Sequence, residues 1–418
     1  MKILKVIGNQ KLTGSIRISG AKNSAVSLIP ATLLTSGTTT LCNVPSISDI
    51  EVLDQTLNYL NVKTKRASET MTIDTTNLKN LDIPIELSSK LRASYYFMAV
   101  LLARFKYVKM SFPGGCQIGS RPIDQTLKAF KLLGATIKEE DSVFTIEAKE
   151  LIGNVIPLDM PSVGATINAI IVATLAKGKT IIKNAAREPE ISDLIDLLNK
   201  MGANIKGSGT SEIEIQGVET LNPTNHDIIP DRIEAGTYTI IGALTGSYLK
   251  IDNIIPEHIK SLTDKLEKMG ANLEIHKDYL IIDSSNELQG LDMETSYYPG
   301  FPTDLQQPFT TLLTQAKGIS NITENIYENR FMNNPYLNQM GANIQVIENK
   351  KAIIKGPTKL IGCEVKATDL RAGASLLVAS LIAEGETIIT DINHLLRGYE
   401  EIVEKLTNVG AKIEIKEI

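Results

Sequence analysis

Met201-Gly202-Ala203-Asn204-Ile205 is one of five stretches in which an apolar residue precedes glycine and alanine and a second apolar residue follows two positions on. The other four begin at Leu133, Met269, Met340 and Val409. Successive glycines of the set are 68, 68, 71 and 69 residues apart, by subtraction of their numbers. Each stretch follows an amphipathic segment and leads into alternating apolar and polar residues. This order predicts a helix, a glycine that ends it and a strand.

A second marker keeps the same period. It is an alanine-rich apolar segment that ends at glycine and is followed by β-branched residues, as in 163–183. The glycines of this set are Gly37, Gly178, Gly246, Gly318 and Gly385. Their spacings are 141, 68, 72 and 67, the first being a double step across the less regular segment 92–112. Six repeats of about 70 residues therefore account for the chain.

Each repeat is predicted to contain two helices, one apolar throughout and one amphipathic, with several short strands between them. A helix that is apolar on every face belongs inside the protein, so the pattern favours an α/β fold with internal helices. A chain of 418 residues is too long for one ordinary core. Two domains of about 200 residues, each with three repeats, are expected.

Composition excludes several classes of protein. The 43 basic and 48 acidic residues nearly cancel and form no dense basic block, so neither nucleic acid nor a membrane surface is expected as a partner. The three cysteines are too far apart in sequence for a local disulfide or metal motif, and the four histidines are equally scattered. No apolar run reaches about 18 residues, and the first ten residues lack a signal-peptide core. A cytoplasmic protein without a metal site is expected.

The starts of the six predicted internal helices carry unusual polar residues. These are Lys22-Asn23, Arg92, the run from Ser162 to Gly164, the run from Arg232 to Glu234, Asp304 and Arg371. Helix N-termini present free N–H groups and the positive ends of dipoles, so their convergence predicts an anion site. Lysine and arginine are disfavoured there unless an anion binds. The alternative is that each residue is an ordinary cap or a solvated side chain.

A second set of polar residues follows the next strand in several repeats: 116–124, 184–188, 324–330 and 393–397. In the segment 112–119, three glycines predict a loop able to close over a ligand and present the thiol of Cys116. A cation such as Arg121 nearby would favour the thiolate, although cysteine is more often buried. For Asp304, behind a Pro/Gly turn, the alternatives are an N-cap and a general base.

Over essentially its full length the sequence resembles the UDP-N-acetylglucosamine 1-carboxyvinyltransferases, a family of the enolpyruvyl transferase superfamily. Eight motifs carry the resemblance: Gly20-Ala21-Lys22-Asn23-Ser24, Pro113-Gly114-Gly115-Cys116 with Gly119-Ser120-Arg121-Pro122, Pro161-Ser162-Val163-Gly164-Ala165-Thr166, Asn184-Ala185-Ala186-Arg187-Glu188-Pro189-Glu190, Pro230-Asp231-Arg232-Ile233-Glu234-Ala235-Gly236-Thr237, Phe301-Pro302-Thr303-Asp304, Glu328-Asn329-Arg330-Phe331-Met332 and Arg397-Gly398-Tyr399-Glu400. Any one of them alone would be weak; together they are specific.

The resemblance implies a two-domain inside-out α/β barrel of six βαβαββ-type repeats with internal helices. The implied central domain, 22–228, contains three repeats and the Cys116 loop. The second domain, 1–21 with 229–418, contains the other three repeats and Asp304. The two would close on substrate like a clamp.

The implied reaction adds the 3'-hydroxyl of UDP-N-acetylglucosamine to C2 of phosphoenolpyruvate, protonates C3 and then eliminates phosphate, as the first committed step of peptidoglycan synthesis. By resemblance, Asp304 is the base at the hydroxyl and Cys116 protonates C3 and can form a covalent adduct. Lys22, Arg121 and Arg397 would hold phosphate and carboxylate. Other implied substrate contacts are Asn23, Arg92, Pro122, Ile123, Asp124, Gln125, Ser162, Val163, Asp304, Ile326 and Arg371. No metal or organic cofactor is implied.

Two positions depart from the family pattern. Met160 stands where some members have a lysine near the nucleotide, and Leu396 replaces an acidic residue before Arg-Gly-Tyr-Glu. Two rival interpretations stay open. One is 5-enolpyruvylshikimate-3-phosphate synthase, whose family lacks the Pro-Gly-Gly-Cys loop and whose Gly-Asn-Ala-Gly-Thr motif is absent here. The other is a non-catalytic paralogue that binds nucleotide-sugar.

Overall fold

The structure, a computed structural model, describes residues 2–111 and 123–417. Fourteen α-helices lie in this part of the chain: α1 Lys22–Ala31, α2 Ser48–Tyr59, α3 Ile85–Ser88, α4 Tyr96–Phe105, α5 Asp124–Leu132, α6 Val163–Thr174, α7 Pro189–Lys200, α8 Arg232–Thr245, α9 Lys260–Lys268, α10 Thr303–Leu313, α11 Asn334–Gln339, α12 Leu370–Ile382, α13 Asn393–Leu396 and α14 Ile402–Asn408. Short 3-10 turns cover Thr32–Leu34, Arg92–Tyr95 and Pro256–Ile259.

The same residues form 23 strands: β1 Lys2–Ile7, β2 Leu12–Arg17, β3 Thr38–Cys42, β4 Lys63–Ala67, β5 Thr70–Asp74, β6 Tyr107–Ser111, β7 Thr136–Glu140, β8 Val143–Glu147, β9 Val155–Pro157, β10 Lys179–Lys183, β11 Asn204–Lys206, β12 Glu212–Gln216, β13 Asn225–Asp227, β14 Gly246–Asp252, β15 Asn272–Ile275, β16 Tyr279–Asp283, β17 Met293–Glu294, β18 Gly318–Thr323, β19 Ile344–Ile347, β20 Lys351–Gly356, β21 Glu364–Lys366, β22 Glu386–Thr390 and β23 Lys412–Glu417.

The described residues divide into two compact units, 20–111 with 123–229, and 2–19 with 230–417. In the first unit the helices α1, α4 and α6 are internal, and its sheets have the strand orders β13-β3-β5-β4, β6-β8-β7 and β11-β12-β10-β9. In the second unit α8, α10 and α12 pack on one another, and the orders are β21-β22-β1-β23, β15-β16-β14-β2 and β17-β18-β20-β19. Each sheet corresponds to one repeat, so the predicted fold class is confirmed.

Apolar residues on every side of a helix explain why it is internal. All residues of α6 from Ala165 to Thr174 are buried, as are those of α12 from Arg371 to Leu381. Alanine, isoleucine, valine and leucine around the whole circumference leave such a helix no face for water. The amphipathic helices, such as α7 and α9, bury one face against these cores and expose the other.

Strands distant in sequence complete several sheets. The N-terminal β1 lies between β22 and β23, antiparallel to both, and β2 pairs in parallel with β14. In the other unit β13 returns to pair in parallel with β3. The two chain ends therefore meet in one sheet of the second unit.

The repeat glycines adopt the backbone conformation predicted for them. Gly134, Gly202, Gly270, Gly341 and Gly410 follow their helices with φ between 93° and 108°. L-residues rarely adopt this conformation, which explains why glycine recurs at the position.

Two repeats use other residues at equivalent places. Asn61 follows α2 with φ 64°, and Lys106 follows α4 with φ 60°. Lys106 is the missing member of the second marker and accounts for its double step. At Gly246 the predicted order is confirmed, since α8 ends at Thr245 and β14 begins at Gly246, although the φ of Gly246 is −78°. A Cβ at this residue would lie 2.8 Å from the carbonyl oxygen of Gly242, so close backbone packing requires the glycine.

Replacing Gly178 with alanine isolates the energy of the left-handed backbone. Its φ is 90°, and nothing lies within 4 Å of an added Cβ. Gly178→Ala should therefore lower the free energy of unfolding by about 1 kcal/mol through backbone strain alone. Urea unfolding measures the change, with Lys177→Ala on the adjacent exposed residue as the control. Equal stability of Gly178→Ala and the unsubstituted protein would contradict this account.

Candidate functional site

The predicted starts of the internal helices are confirmed. Lys22 is the first residue of α1, Arg92 begins the 3-10 turn that leads into α4, and Ser162 is the N-cap of α6. Asp231 caps α8, while Asp304 and Arg371 are the second residues of α10 and α12. The six polar groups therefore occupy equivalent places in the repeats.

Lys22 has a protein carboxylate as partner. Its Nζ lies 2.8 Å from Oδ2 of Asp49, near the start of α2, and the side chains of Lys22 and Asp49 are 14% and 3% exposed. Asn23 follows and is half-buried. A cation at a helix start was expected to need an anion; in this structure Asp49 supplies one.

The starts of α4 and α6 come together in the same unit. The guanidinium carbon of Arg92 lies 5.6 Å from the ring centre of Tyr95. A Cβ at Gly164 would lie 1.5 Å from the hydroxyl oxygen of Tyr95, so only glycine fits beneath that ring. Ser162 accepts a hydrogen bond from the N–H of Ala165 at 3.3 Å. Tyr95 thus lies close to both Arg92 and Gly164.

The start of α5 carries further predicted residues. Ile123 is its buried N-cap and Asp124 its first residue. Gln125 donates to Asp159 at 2.8 Å and accepts from the N–H of Asp159 at 2.9 Å. Lys128 also binds this carboxylate at 2.6 Å.

Asp159 and Met160 bear on one departure from the family pattern. Hydrogen bonds from Lys128 and Gln125 lower the pKa of Asp159 below its ordinary value. Met160, the next residue, is 54% exposed. The apolar side chain at this position is thus largely exposed.

Three predicted site residues lie outside the described residues: Cys116, Arg121 and Pro122. Their roles stay predictions.

In the second unit Asp304 lies between two buried guanidinium groups. Its Oδ1 binds Nη2 of Arg330, and its Oδ2 accepts from Nη2 of Arg371 at 2.9 Å. The arginine side chains are 3% and 5% exposed, and that of Asp304 is 26% exposed. Asp304 does not cap its helix, since Pro302 is the N-cap and no side chain caps that end. The capping interpretation is therefore wrong.

The two arginines decide the charge state of Asp304. Burial opposes ionisation, but the positive charges of Arg371 and Arg330 outweigh it and hold the pKa of the carboxyl below its ordinary range. Burial likewise disfavours the charged guanidinium of Arg371, yet Asp304 raises the pKa of that group. Asp304 is thus an ionised but weak base, and an anion that drew away either arginine would strengthen it.

A hydrogen-bond network extends from this carboxylate towards Ile326. Nε of Arg330 donates to the hydroxyl of Thr303 at 3.1 Å, and that hydroxyl donates to Glu324. Glu324 also accepts from the N–H of Ile326 at 2.8 Å and from that of Tyr327 at 3.0 Å. Asp304, Ile326 and Arg371, all predicted from sequence, are therefore brought together.

The same network reaches α8 through Tyr399. Nη1 of Arg371 donates to its hydroxyl at 3.2 Å, and that oxygen lies 2.9 Å from the hydroxyl of Thr237. Burial raises the pKa of Tyr399, so it stays neutral. Arg397 lies two residues before Tyr399, directly after α13, and is half-buried. Leu396, the second departure, packs against the core.

The prediction of site residues omitted Arg330, Thr303, Glu324 and Tyr399. The segment 324–330 was recognised as a polar set following a strand, and the other two lie in quoted motifs. Their signal was therefore present, but nothing local indicated that Arg330 would contact Asp304.

The described ranges hold neither a cluster of metal ligands nor a membrane-spanning helix. Residues 2–111 and 123–417 contain no group of three or more His, Cys, Asp or Glu placed to hold a metal ion. In the same ranges, every helix is too short or too polar to cross a membrane.

Replacing Asp304 with asparagine should destabilise its unit, because two buried guanidiniums lose their anion. We expect Asp304→Asn to lower the free energy of unfolding by about 3 kcal/mol at pH 7. Because the pKa of Asp304 is lowered, this contribution is present above the ordinary pKa of aspartate and is lost only at more acidic pH. The loss should therefore be constant from about pH 5 to pH 8.

Denaturant unfolding at several pH values measures that loss. Asp264→Asn, in the exposed pair with Lys260, is the matched control and should have no measurable effect. If Asp304→Asn were more stable than the unsubstituted protein, the prediction would be contradicted. The two guanidinium groups would then not need Asp304 as their anion.

Comparisons with known proteins agree with this architecture. The family model described as EPSP synthase (3-phosphoshikimate 1-carboxyvinyltransferase) matches residues 6–406. The proteins named UDP-N-acetylglucosamine 1-carboxyvinyltransferase 2 from Bacillus subtilis (strain 168) and Geobacillus kaustophilus (strain HTA426) are 50% and 49% identical over 414 and 413 residues, with 99% of this chain and 96% of each relative covered.

Among solved structures, the enolpyruvyl transferase NikO from Streptomyces tendae superposes with a TM-score of 0.91 at 26% identity, covering 99% of both chains. These matches extend over essentially the whole sequence. The chain therefore belongs to the EPSP synthase (3-phosphoshikimate 1-carboxyvinyltransferase) family, and within that family to the UDP-N-acetylglucosamine 1-carboxyvinyltransferases.

Proposed function

We propose that this protein transfers the enolpyruvyl group of phosphoenolpyruvate to the 3'-hydroxyl of UDP-N-acetylglucosamine and releases phosphate, the first committed step of peptidoglycan synthesis. The observation that carries the proposal is the Asp304 carboxylate held between two buried guanidiniums at the start of an internal helix. It occurs in a chain half identical to relatives whose name states this transfer.

The reaction has two stages. In the addition, the hydroxyl oxygen bonds to C2 of phosphoenolpyruvate, the hydroxyl proton passes to a base and C3 receives a proton from an acid. In the elimination, C3 loses a proton and the bond from C2 to the phosphate oxygen breaks. The products are an enolpyruvyl ether and inorganic phosphate, so the chemistry requires an acid, a base and anion binding but no redox step.

Asp304 is the proposed base. Its low pKa makes it a poor proton acceptor while both arginines hold it. A substrate phosphate or carboxylate competes for Arg371 and Arg330, and each guanidinium drawn away raises the basicity of the carboxylate. Substrate binding thus supplies the change in charge that prepares Asp304 for proton transfer.

The remaining roles follow the sequence resemblance. Cys116 is the proposed acid at C3 and site of a covalent adduct. Lys22, Arg121 and Arg397 bind the phosphate and carboxylate, assisted by Asn23 and Arg371, and stabilise the leaving phosphate. The proposed contacts of the nucleotide-sugar are Arg92, Arg121, Pro122, Ile123, Asp124, Gln125, Ser162, Val163, Asp304 and Ile326. The proposal requires both sets to meet around one ligand and includes no metal or organic cofactor.

The proposed partners are these two small molecules, with neither nucleic acid nor a membrane among them. A cytoplasmic location is part of the proposal. Its support is the absence of a local cysteine spacing for disulfides, which fits a reducing compartment.

The acceptor substrate distinguishes this function from that of the shikimate-pathway enzyme, 3-phosphoshikimate 1-carboxyvinyltransferase, after which the matching family is named. The purified protein should release phosphate from phosphoenolpyruvate with UDP-N-acetylglucosamine and not with shikimate-3-phosphate. A colorimetric phosphate assay measures both. Release with shikimate-3-phosphate alone would assign the other activity, and release with neither would favour a non-catalytic binding protein.

Removing the proposed acid or base should lower kcat sharply. We expect Cys116→Ala and Asp304→Ala each to lower kcat by roughly 10²- to 10⁴-fold, the usual contribution of a general acid or base. Cys42→Ala and Cys363→Ala are matched controls and should stay near full activity.

Alkylation tests the thiol independently of turnover. Burial raises the pKa of Cys363, so this thiol should react slowly. Cys116 should be modified first, with loss of activity. Full activity of both alanine variants at the proposed acid and base would remove these assignments.

A further inference from the structure

The segment 393–405, here called the Arg397 segment, is fixed to two internal helices of its own unit. A Cβ at Gly398 would lie 2.7 Å from Cδ2 of Leu370, at the start of α12, so the backbone packs directly on that side chain. A Cβ at Gly373 would lie 3.2 Å from the Cβ of Leu395. These two apolar contacts hold the part of the segment around Arg397 against α12.

Two polar contacts tie the same segment to α8. The hydroxyl of Tyr399 lies 2.9 Å from that of Thr237. Nζ of Lys405 donates to Oε1 of Glu234 at 2.6 Å and to the hydroxyl of Ser19 at 2.6 Å. The side chains of Glu234 and Lys405 are 2% and 14% exposed, so water screens the pair poorly.

Glu234 also fixes a third stretch of chain. Its Oε2 accepts from the N–H of Ser19 at 2.9 Å. Ser19 is the last residue of its unit before the chain passes to Gly20, and its carbonyl oxygen accepts from the N–H of Asp231 at 2.9 Å. One carboxylate therefore holds both the helix that follows Arg397 and the strand end that leads towards Lys22.

We propose that Glu234 and Lys405 are positioning residues for the reaction, which through this ion pair place the Arg397 segment so that its guanidinium can bind the anionic end of phosphoenolpyruvate, and that the pair makes this binding pH-dependent. The inference rests on the proposed function, since Arg397 is the group it positions. Neither Glu234 nor Lys405 touches the substrate in this scheme.

The charge of Glu234 changes near neutral pH. Burial raises its pKa, the charge of Lys405 lowers it, and the result is about 7. Above this pH the carboxylate is ionised and binds the ammonium through a charge-assisted hydrogen bond. Below it the neutral acid binds the ammonium more weakly, so the anchor loosens as the pH falls.

The groups that face Glu234 come from α8, α14 and the segment that follows β2. Lys405 approaches it from α14, Asp231 precedes α8 and raises its pKa, and Ser19 contributes only an N–H and a hydroxyl. Tyr238, one turn along α8, has its pKa raised well above the ordinary value by burial and stays neutral. Burial also raises the pKa of Tyr399. Glu234, with a pKa of about 7, therefore changes its charge near neutrality while both tyrosines stay neutral.

The test compares Glu234→Gln with the unsubstituted protein. Glutamine keeps the shape and the hydrogen-bonding oxygen but never ionises, so it reproduces the neutral acid. At pH 8 the KM for phosphoenolpyruvate should rise about tenfold, equivalent to ~1.4 kcal/mol, with kcat changed much less. Below pH 6 the side chain of residue 234 is neutral in both proteins. The ratio of the two KM values should therefore fall towards one, and titration of the substrate cancels in that ratio.

Three further variants separate positioning from general loss of structure. Lys405→Met should also raise the KM for phosphoenolpyruvate at pH 8, and Lys405→Arg should retain most of the affinity at that pH. Asp264→Asn, in the exposed pair on α9, should leave KM unchanged at every pH.

Hydrogen–deuterium exchange provides a readout without turnover. Peptides covering 393–405 should exchange faster in Glu234→Gln than in the unsubstituted protein at pH 8. A KM ratio independent of pH, or unchanged exchange in this segment, overturns the inference. Absence of phosphate release from the unsubstituted protein defeats the proposed function instead, and the exchange result then decides the anchor separately.

Discussion

Complete burial of three helices in each unit is the constraint on which the rest of the structure depends. Inside a helix enclosed on every face the backbone bonds to itself, whereas its first N–H groups lack partners inside the helix and need other acceptors. Side chains satisfy them at several starts: Ser162 for α6, Asp231 for α8 and Asp369 for α12. The starts of the internal helices therefore carry buried charged and polar residues, and the proposed chemistry uses the same places.

Buried charge imposes a second requirement, because a cation removed from water needs an anion close by. Asp304 meets this requirement for Arg371, Asp49 for Lys22 and Glu234 for Lys405. Three of these six charged residues, Lys22, Asp304 and Arg371, are also proposed to react with or bind substrate. A ligand anion can replace a protein carboxylate at such a pair. The same cations therefore stabilise the substrate-free protein through ion pairs and can bind the substrate.

Much of the fold could be predicted because its signals are local. Gly202 recurs at a fixed period because the residue after each amphipathic helix takes a left-handed backbone. Asn61 and Lys106 have the same left-handed backbone but were not recognised as equivalent positions. The pattern was defined by glycine, and these two residues are not glycine. Asp304 was placed correctly at a helix start, but its role as a cap was wrong, because its oxygens bind the guanidinium groups of Arg330 and Arg371 instead of the backbone of its own helix.

The sequence by itself determined the order of elements, the number of repeats and which residues begin the internal helices. Each of these follows from the periodicity and backbone preference of neighbouring residues. Only the tertiary structure decided which charges meet. Asp304 and Arg371 are 67 residues apart, and Glu234 and Lys405 are 171 apart. No local pattern encodes such pairs, because the packing of separate helices sets both the distance between the groups and the burial that makes each pairing necessary.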